Sequence, residues 1–94
     1  MILIADGGST KCDWILLDNT GEIVIKTRTL GLNPAVFKEN VLLERILENK
    51  DLEVFKNKID QLFFYGAGCG TETPRLILQE IFKSYFTNST VKLS

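Results

Sequence analysis

Met1-Ile2-Leu3-Ile4-Ala5-Asp6-Gly7-Gly8-Ser9-Thr10-Lys11-Cys12-Asp13-Trp14-Ile15-Leu16-Leu17-Asp18 opens the chain with two apolar runs joined by Asp-Gly-Gly-Ser-Thr-Lys. The runs, Ile2 to Ala5 and Cys12 to Asp18, read as short strands, which puts the glycines at the tip of a hairpin. Paired glycines allow a tight turn with positive φ and place no Cβ between backbone N–H groups and an approaching anion. Gly7, Gly8, Ser9 and Thr10 are therefore candidate phosphate-binding residues, the last two adding hydroxyl donors. Asp6 faces the same opening and suits Mg²⁺, a hard cation that takes one or two carboxylates together with phosphate oxygens. Lys11 can add positive charge, although a lysine just past a turn is commonly a solvated surface residue. The order Gly8-Ser9-Thr10-Lys11, followed by β-forming residues, is not the G-x-x-x-x-G-K-[ST] loop that opens a helix. An ordinary glycine-rich turn remains the competing reading.

Moving outward, Asp18-Asn19-Thr20-Gly21 supplies turn chemistry with glycine where φ must be positive, and Glu22 to Leu30 alternates as a third strand. Ile23, Ile25, Thr27 and Thr29 fall on one side of it and Glu22, Val24, Lys26 and Arg28 on the other, the pattern of an edge strand with a wet face. Asn33-Pro34 predicts a helix start, with Asn33 as cap and Pro34 in the first helical position. Val36, Phe37, Val41, Leu42, Leu43, Ile46 and Leu47 then recur at helical spacing to about Asn49, with Lys38, Glu39, Glu44, Arg45 and Glu48 between them. A shorter helical segment spans Asp51 to Ile59, and Gln61 to Tyr65 reads as a buried strand ending in Gly66-Ala67-Gly68-Cys69-Gly70. Thr73, with Pro74 after it, predicts the cap of a second helix carrying Leu78, Phe82 and Phe86, and Thr90 to Ser94 reads as a last strand. The order βββαβαβ predicts an α/β fold whose second half pairs in parallel through helical crossovers.

The chain has 94 residues, 45% of them apolar and 10% aromatic, enough for one small structured domain. Lysines and arginines number 11 against 12 acidic residues, interspersed, so no basic face for nucleic acid and no polybasic segment for a membrane is expected. No apolar run approaches the roughly 18–20 residues of a membrane span, and no signal-peptide pattern precedes the first strand, so a cytoplasmic protein is expected. Cys12 and Cys69 lie far apart without any histidine, which argues against a zinc site and against Cys-His catalysis.

Two further stretches carry candidate binding residues. Asn33 has an amide able both to donate and to accept hydrogen bonds, while asparagine before proline is equally an ordinary turn residue. Gly66, Gly68 and Gly70 follow a strand and precede a helix, where open α/β sheets place ligands. Their G-x-G-x-G spacing, late position and lack of a downstream acidic ribose reader set them apart from a dinucleotide fingerprint, and close packing of strand on helix would also require glycine.

The strand–Asp6-Gly7-Gly8-Ser9-Thr10-Lys11–strand opening resembles the first phosphate motif of the sugar kinase, Hsp70 and actin superfamily. With Gly31-Leu32-Asn33-Pro34 and Tyr65-Gly66-Ala67-Gly68-Cys69-Gly70 in order behind it, the whole chain resembles the N-acetylglucosamine kinase-like proteins and the BadF/BadG/BcrA/BcrD ATPase family. The resemblance implies the ribonuclease H-like half of the actin-like ATPase fold, with residues 1–94 as a truncated N-terminal lobe and the second lobe outside it. It also implies ATP and Mg²⁺ as cofactors, Asp6 as the metal carboxylate and Gly7, Gly8, Ser9, Thr10 and Lys11 at the ATP phosphates. Asn33, Gly66, Gly68 and Gly70 would face a small sugar substrate, and the parent enzyme would be a homodimer. The catalytic aspartate of the resembled kinases would come just after Ser94, so no catalytic residue is expected among these 94 and the segment alone would be inactive. Two other outcomes stay open: an ATPase activator of the BadF/BcrA type, which needs downstream cluster cysteines, and a degenerate nucleotide-binding domain without chemistry.

Overall fold

The computed structural model describes all 94 residues as a five-stranded sheet with its helices gathered on one face. Strands β1 (Ile2–Gly7), β2 (Lys11–Leu17) and β3 (Ile23–Leu30) form an antiparallel meander. Helices α1 (Glu39–Leu47) and α2 (Lys50–Phe55) and a 3₁₀ turn (Lys56–Lys58) lead to β4 (Gln61–Gly66), and α3 (Glu72–Tyr85) leads to β5 (Thr90–Leu93). The sheet order is β3-β2-β1-β4-β5, with β4 parallel to β1 and β5 parallel to β4. The α/β class, the parallel second half and the edge position of β3 are as the sequence pattern requires, and the order agrees with the ribonuclease H-like half-fold.

Alternation along the strands sorts the core. Leu3 and Ala5, Cys12, Trp14 and Leu16, Leu62 and Phe64, and Val91 point to the helices and are buried against Leu42, Ile46, Leu52, Leu78, Ile81, Phe82 and Phe86. Trp14 is the hub: its ring centroid lies 5.9 Å from Phe82 in an edge-on arrangement, 6.2 Å from Phe64 and 6.4 Å from Phe86. Its indole N–H donates to Thr29 Oγ1 at 3.1 Å, which satisfies the one polar atom that burial would otherwise strand. Burying each such ring contributes about 1.5–3 kcal/mol. The other sheet face has no helix on it.

Local boundaries depart from expectation in four places. Strand β1 runs two residues further than expected, because Asp6 and Gly7 pair with Asp13 and Cys12 on one side and with Tyr65 and Gly66 on the other. Asn33 does not open a long helix. Its backbone carbonyl accepts from Val36 and Phe37 and its side chain accepts from the Ala35 N–H, closing one turn. Extended backbone at Lys38 (φ −69°, ψ 158°) then breaks the run, and α1 begins only at Glu39. Phe37 leaves the helical stripe to stack beneath the Arg45 guanidinium, 4.0 Å from ring centroid to Cζ. Third, the Asp51–Ile59 helix is shorter and tighter than expected: Asn49 caps α2 by accepting from Leu52 N–H at 2.9 Å, and the helix gives way to the 3₁₀ turn. Helix α3 starts at Glu72 rather than after Thr73, with Thr71 as an extended flanking residue whose side chain makes no cap; Pro74 stays inside the first turn, where it needs no N–H.

Candidate functional site

The hairpin tip, the turn after β3 and the loop after β4 meet at one end of the sheet, because β1 and β4 are parallel neighbours whose carboxyl ends coincide. Asp6, Gly7, Gly8, Ser9, Thr10, Lys11 and Asp13 line an open polar cleft of about 270 Å³ there.

The two hairpin glycines do not work as expected. Neither has positive φ. Gly7 is a strand residue whose missing Cβ makes room for the Phe64 ring: a Cβ there would sit 2.7 Å from Phe64 Cζ and 3.2 Å from the Cys12 sulfur. The Gly8 N–H is already used, donating to the Lys11 carbonyl at 2.8 Å to close the hairpin. A Cβ on Gly8 would meet only that carbonyl at 3.7 Å, so the second glycine keeps the rim open without being needed by the backbone. The N–H groups that donate to no protein acceptor are those of Ser9 and Thr10, at the exposed apex. They, with the Thr10 hydroxyl, are what the tip offers to an anion.

Asp6 and Asp13 are directly paired across β1 and β2, yet their surroundings differ. Asp13 accepts from Arg28 Nε at 2.7 Å and lies 3.7 Å from Lys11 Nζ, and the Arg28 bond holds its carboxyl below the usual range. Asp6 is exposed and makes no hydrogen bond or ion pair. Of the two carboxylates it is the one free to take a cation. Lys11 is solvated apart from its long approach to Asp13.

Asn33 is buried, and both ends of its amide are engaged: Nδ2 donates to Ser9 Oγ at 2.8 Å and Oδ1 accepts from Ala35 N–H at 3.0 Å. The residue therefore clasps the hairpin apex to the turn after β3. Gly68 packs against the same amide. It has φ +83°, and a Cβ on it would run into Asn33 Oδ1 and lie 2.9 Å from Cγ. Gly66, the strand partner of Gly7, gives the Phe64 ring its space from the other side, with a would-be Cβ 2.9 Å from Phe64 Cζ. Gly70 has nothing within 4 Å of such an atom and is exposed. The structure thus brings Asn33 and Gly68 together with the hairpin tip, assigns Gly66 to packing, and leaves Gly70 at the open end of its loop.

Two residues that support this site carry no role in the sequence reading. Gly31 crosses beneath the hairpin so closely that a Cβ would collide with the Ser9 carbonyl, and its N–H donates to the Thr10 carbonyl at 3.0 Å. Arg45, which reads as a polar residue of α1, donates to the Gly31 carbonyl at 2.6 Å while stacked on Phe37. A glycine directly after a strand is the one signal that could have marked Gly31; contacts at long sequence separation, like Arg45 to Gly31, leave none. Both cysteines are buried, and burial pushes the Cys12 thiol up to about 12 and raises Cys69 as well, so neither is a nucleophile at neutral pH. No helix is long and apolar enough to cross a membrane.

No protein-family model matches this chain, and no curated protein does. Among solved structures, the crystal structure of the "putative N-acetylglucosamine kinase" from Porphyromonas gingivalis superposes with a TM-score of 0.82 at 31% identity, over 99% of this chain. The chain spans 33% of the length of that protein. In fold and in sequence, over nearly its whole length, this chain is thus similar to part of that N-acetylglucosamine kinase-like protein.

Proposed function

We propose that residues 1–94 form the phosphate-binding lobe of an ATP-dependent kinase that phosphorylates an amino sugar of the N-acetylglucosamine class. The observation that carries this reading is the hairpin apex: two free N–H groups, at Ser9 and Thr10, beside an unpaired carboxylate at Asp6. These groups fit a Mg²⁺-bound polyphosphate. When bound, the cation would supply charge that offsets the phosphates, and the apex N–H groups and the Thr10 hydroxyl would hold the phosphate chain in place. Asp6 would hold the metal side, while Asp13, neutralised by Arg28, keeps the cleft from becoming too negative for a phosphate. Asn33 and the Gly66–Gly70 loop sit on the neighbouring rim, where a sugar would lie, and Asn33 acts there through its hold on Ser9. The residue that accepts the proton from the sugar hydroxyl would come from beyond Ser94, together with the second lobe. A cytoplasmic location belongs to the same proposal.

Amide chemical shifts of this chain titrated with Mg·ATP test the phosphate site. Ser9 and Thr10 should move, Asp6→Asn should weaken the response in Mg²⁺, and an unresponsive apex would refute the site. Sugar-dependent ATP consumption by a polypeptide that continues past Ser94 tests the reaction, and consumption indifferent to every amino sugar would refute that part alone.

A further inference from the structure

Ser9 and Thr10 carry the two N–H groups left for an anion, and every hydrogen bond that reaches them from outside their own hairpin comes from residues 31 and 33. Gly31 N–H donates to the Thr10 carbonyl at 3.0 Å, and Asn33 Nδ2 donates to Ser9 Oγ at 2.8 Å. Gly31 is also buried so close beneath the tip that a Cβ on it would strike the carbonyl oxygens of both Gly8 and Ser9. Those carbonyls belong to the peptide units that bear the Ser9 and Thr10 N–H groups. In a trans peptide the N–H points opposite to the C=O, so packing the two carbonyls on Gly31 sets how both N–H groups are presented.

Gly31 is held in turn by Arg45. The Arg45 Nη1 donates to the Gly31 carbonyl at 2.6 Å while the guanidinium lies over the Phe37 ring, 4.0 Å from its centroid. Phe37 closes the segment 31–37 on itself, because its N–H donates to the Asn33 carbonyl at 3.0 Å. One guanidinium thereby clamps both ends of the strap that carries Gly31 and Asn33. Arg45 is half-buried and forms no ion pair, although Glu48 lies one helical turn further along α1. Its donors go to a carbonyl across the fold instead. A flat guanidinium can stack on a ring and donate in its own plane at once, which the point charge of a lysine cannot do.

We infer that Arg45 is a positioning residue for phosphate binding: through Gly31 it fixes the Ser9 and Thr10 N–H groups in the orientation that an anion needs. The inference rests on the phosphate-binding reading of the hairpin apex. Arg45 itself touches no phosphate, and it acts on affinity by holding the crossing of residues 8–10 over Gly31 closed.

Nuclear magnetic resonance of this chain tests it, first without ligand. Arg45→Met should abolish the scalar coupling across the hydrogen bond from Gly31 N–H to the Thr10 carbonyl and shift the Ser9 and Thr10 amide signals, while circular dichroism and the signals of β4 and α3 stay as in wild type. Titration with Mg·ATP should then give a Kd about tenfold above wild type, the scale of one charge-assisted hydrogen bond. Arg45→Lys, which keeps the charge without the flat stack, should fall between the two. Phe37→Leu, which leaves Arg45 and removes only its seat, should move the same signals by less; with Arg45→Lys it decides the matter by the same readouts if Arg45→Met does not fold. Val91→Ala is the control for stability, since it thins the core on the far edge strand: it should lower the urea midpoint and leave the apex signals and Kd unchanged. If Arg45 only braces α1 against the sheet, its variants will lose stability as Val91→Ala does while the apex coupling, shifts and Kd stay native, and the inference is overturned. A wild-type apex indifferent to Mg·ATP refutes the phosphate reading itself and reduces Arg45 to a brace of the hairpin, whereas a responsive wild type matched by Arg45→Met in Kd strikes this inference alone.

Discussion

The hairpin tip and the loop after β4 both spend glycines at the same end of the sheet, but for opposite reasons. In the hairpin no glycine has positive φ; Gly7 is there for the Phe64 ring, Gly8 for an open rim, and Gly31, donated by the neighbouring turn, for backbone crossing backbone. In the loop, Gly66 repeats the packing role, Gly68 supplies a left-handed turn pressed on Asn33, and Gly70 is unconstrained. The lesson is that the hairpin side of this site is shaped by close approach, while the neighbouring rim is shaped by turn conformation. Asn33 joins the two, bonded to Ser9 on one side and abutted by Gly68 on the other.

Substitutions to alanine rank these roles. Gly31→Ala should cost the most, about 3 kcal/mol or more in urea unfolding, because Gly8 and Thr10 on either side of Ser9 are tied by backbone bonds, Thr10 to Gly31 itself, and the crossing cannot open. Gly68→Ala combines the strain of positive φ, about 1–2 kcal/mol, with displacement of Asn33, and should also free the Ser9 amide on the microsecond timescale seen by relaxation dispersion. Asn33→Ala should cost about 1–3 kcal/mol and loosen the apex in the same way without disturbing β4, which separates loss of the clasp from loss of the turn. Gly8→Ala should leave stability within about 1 kcal/mol yet weaken Mg·ATP perturbations at Ser9 and Thr10 by narrowing the rim. Gly70→Ala should be silent, within about 0.5 kcal/mol. A stable Gly31→Ala variant, or a costly Gly70→Ala variant, would break the comparison.

Protonation gives a smaller, separate reading. Asp13 has a depressed folded pKa, so the Arg28 pairing contributes above the unfolded carboxylate range and is lost as pH falls through the folded value. Both partners are exposed, and high salt should shrink the effect. Cys12 has a raised pKa, so its burial favours the fold until pH climbs from the ordinary thiol range toward about 12. A thiol reagent at pH 8 should therefore label Cys12 only upon unfolding.

Much of this architecture is written locally. Period-two alternation in residues 2–30, the Gly21 turn at φ +86° and the Leu78-Phe82-Phe86 spacing each name their element without long-range help. The candidate residues were legible as a group for the same reason, since strand ends at 6–10 and 66–70 must converge once β1 and β4 are parallel. What escaped depends on partners far along the chain. Phe37 fits the helical stripe of α1 and is pulled from it by Arg45; the use of Gly7 depends on a ring 57 residues away; Asp6 and Asp13 are alike in sequence until Arg28 chooses one.

Asn49 has a consequence for how the sheet is bounded. Besides capping α2, its amide donates to Thr27 Oγ1 at 2.9 Å and to the Arg28 carbonyl at 3.0 Å, on the outer edge of β3. One side chain thereby spends the edge carbonyl that a further strand would need, and a helix start becomes a selvedge for the sheet. At Arg28 the β3 edge is closed by a side chain in the place a neighbouring strand would take.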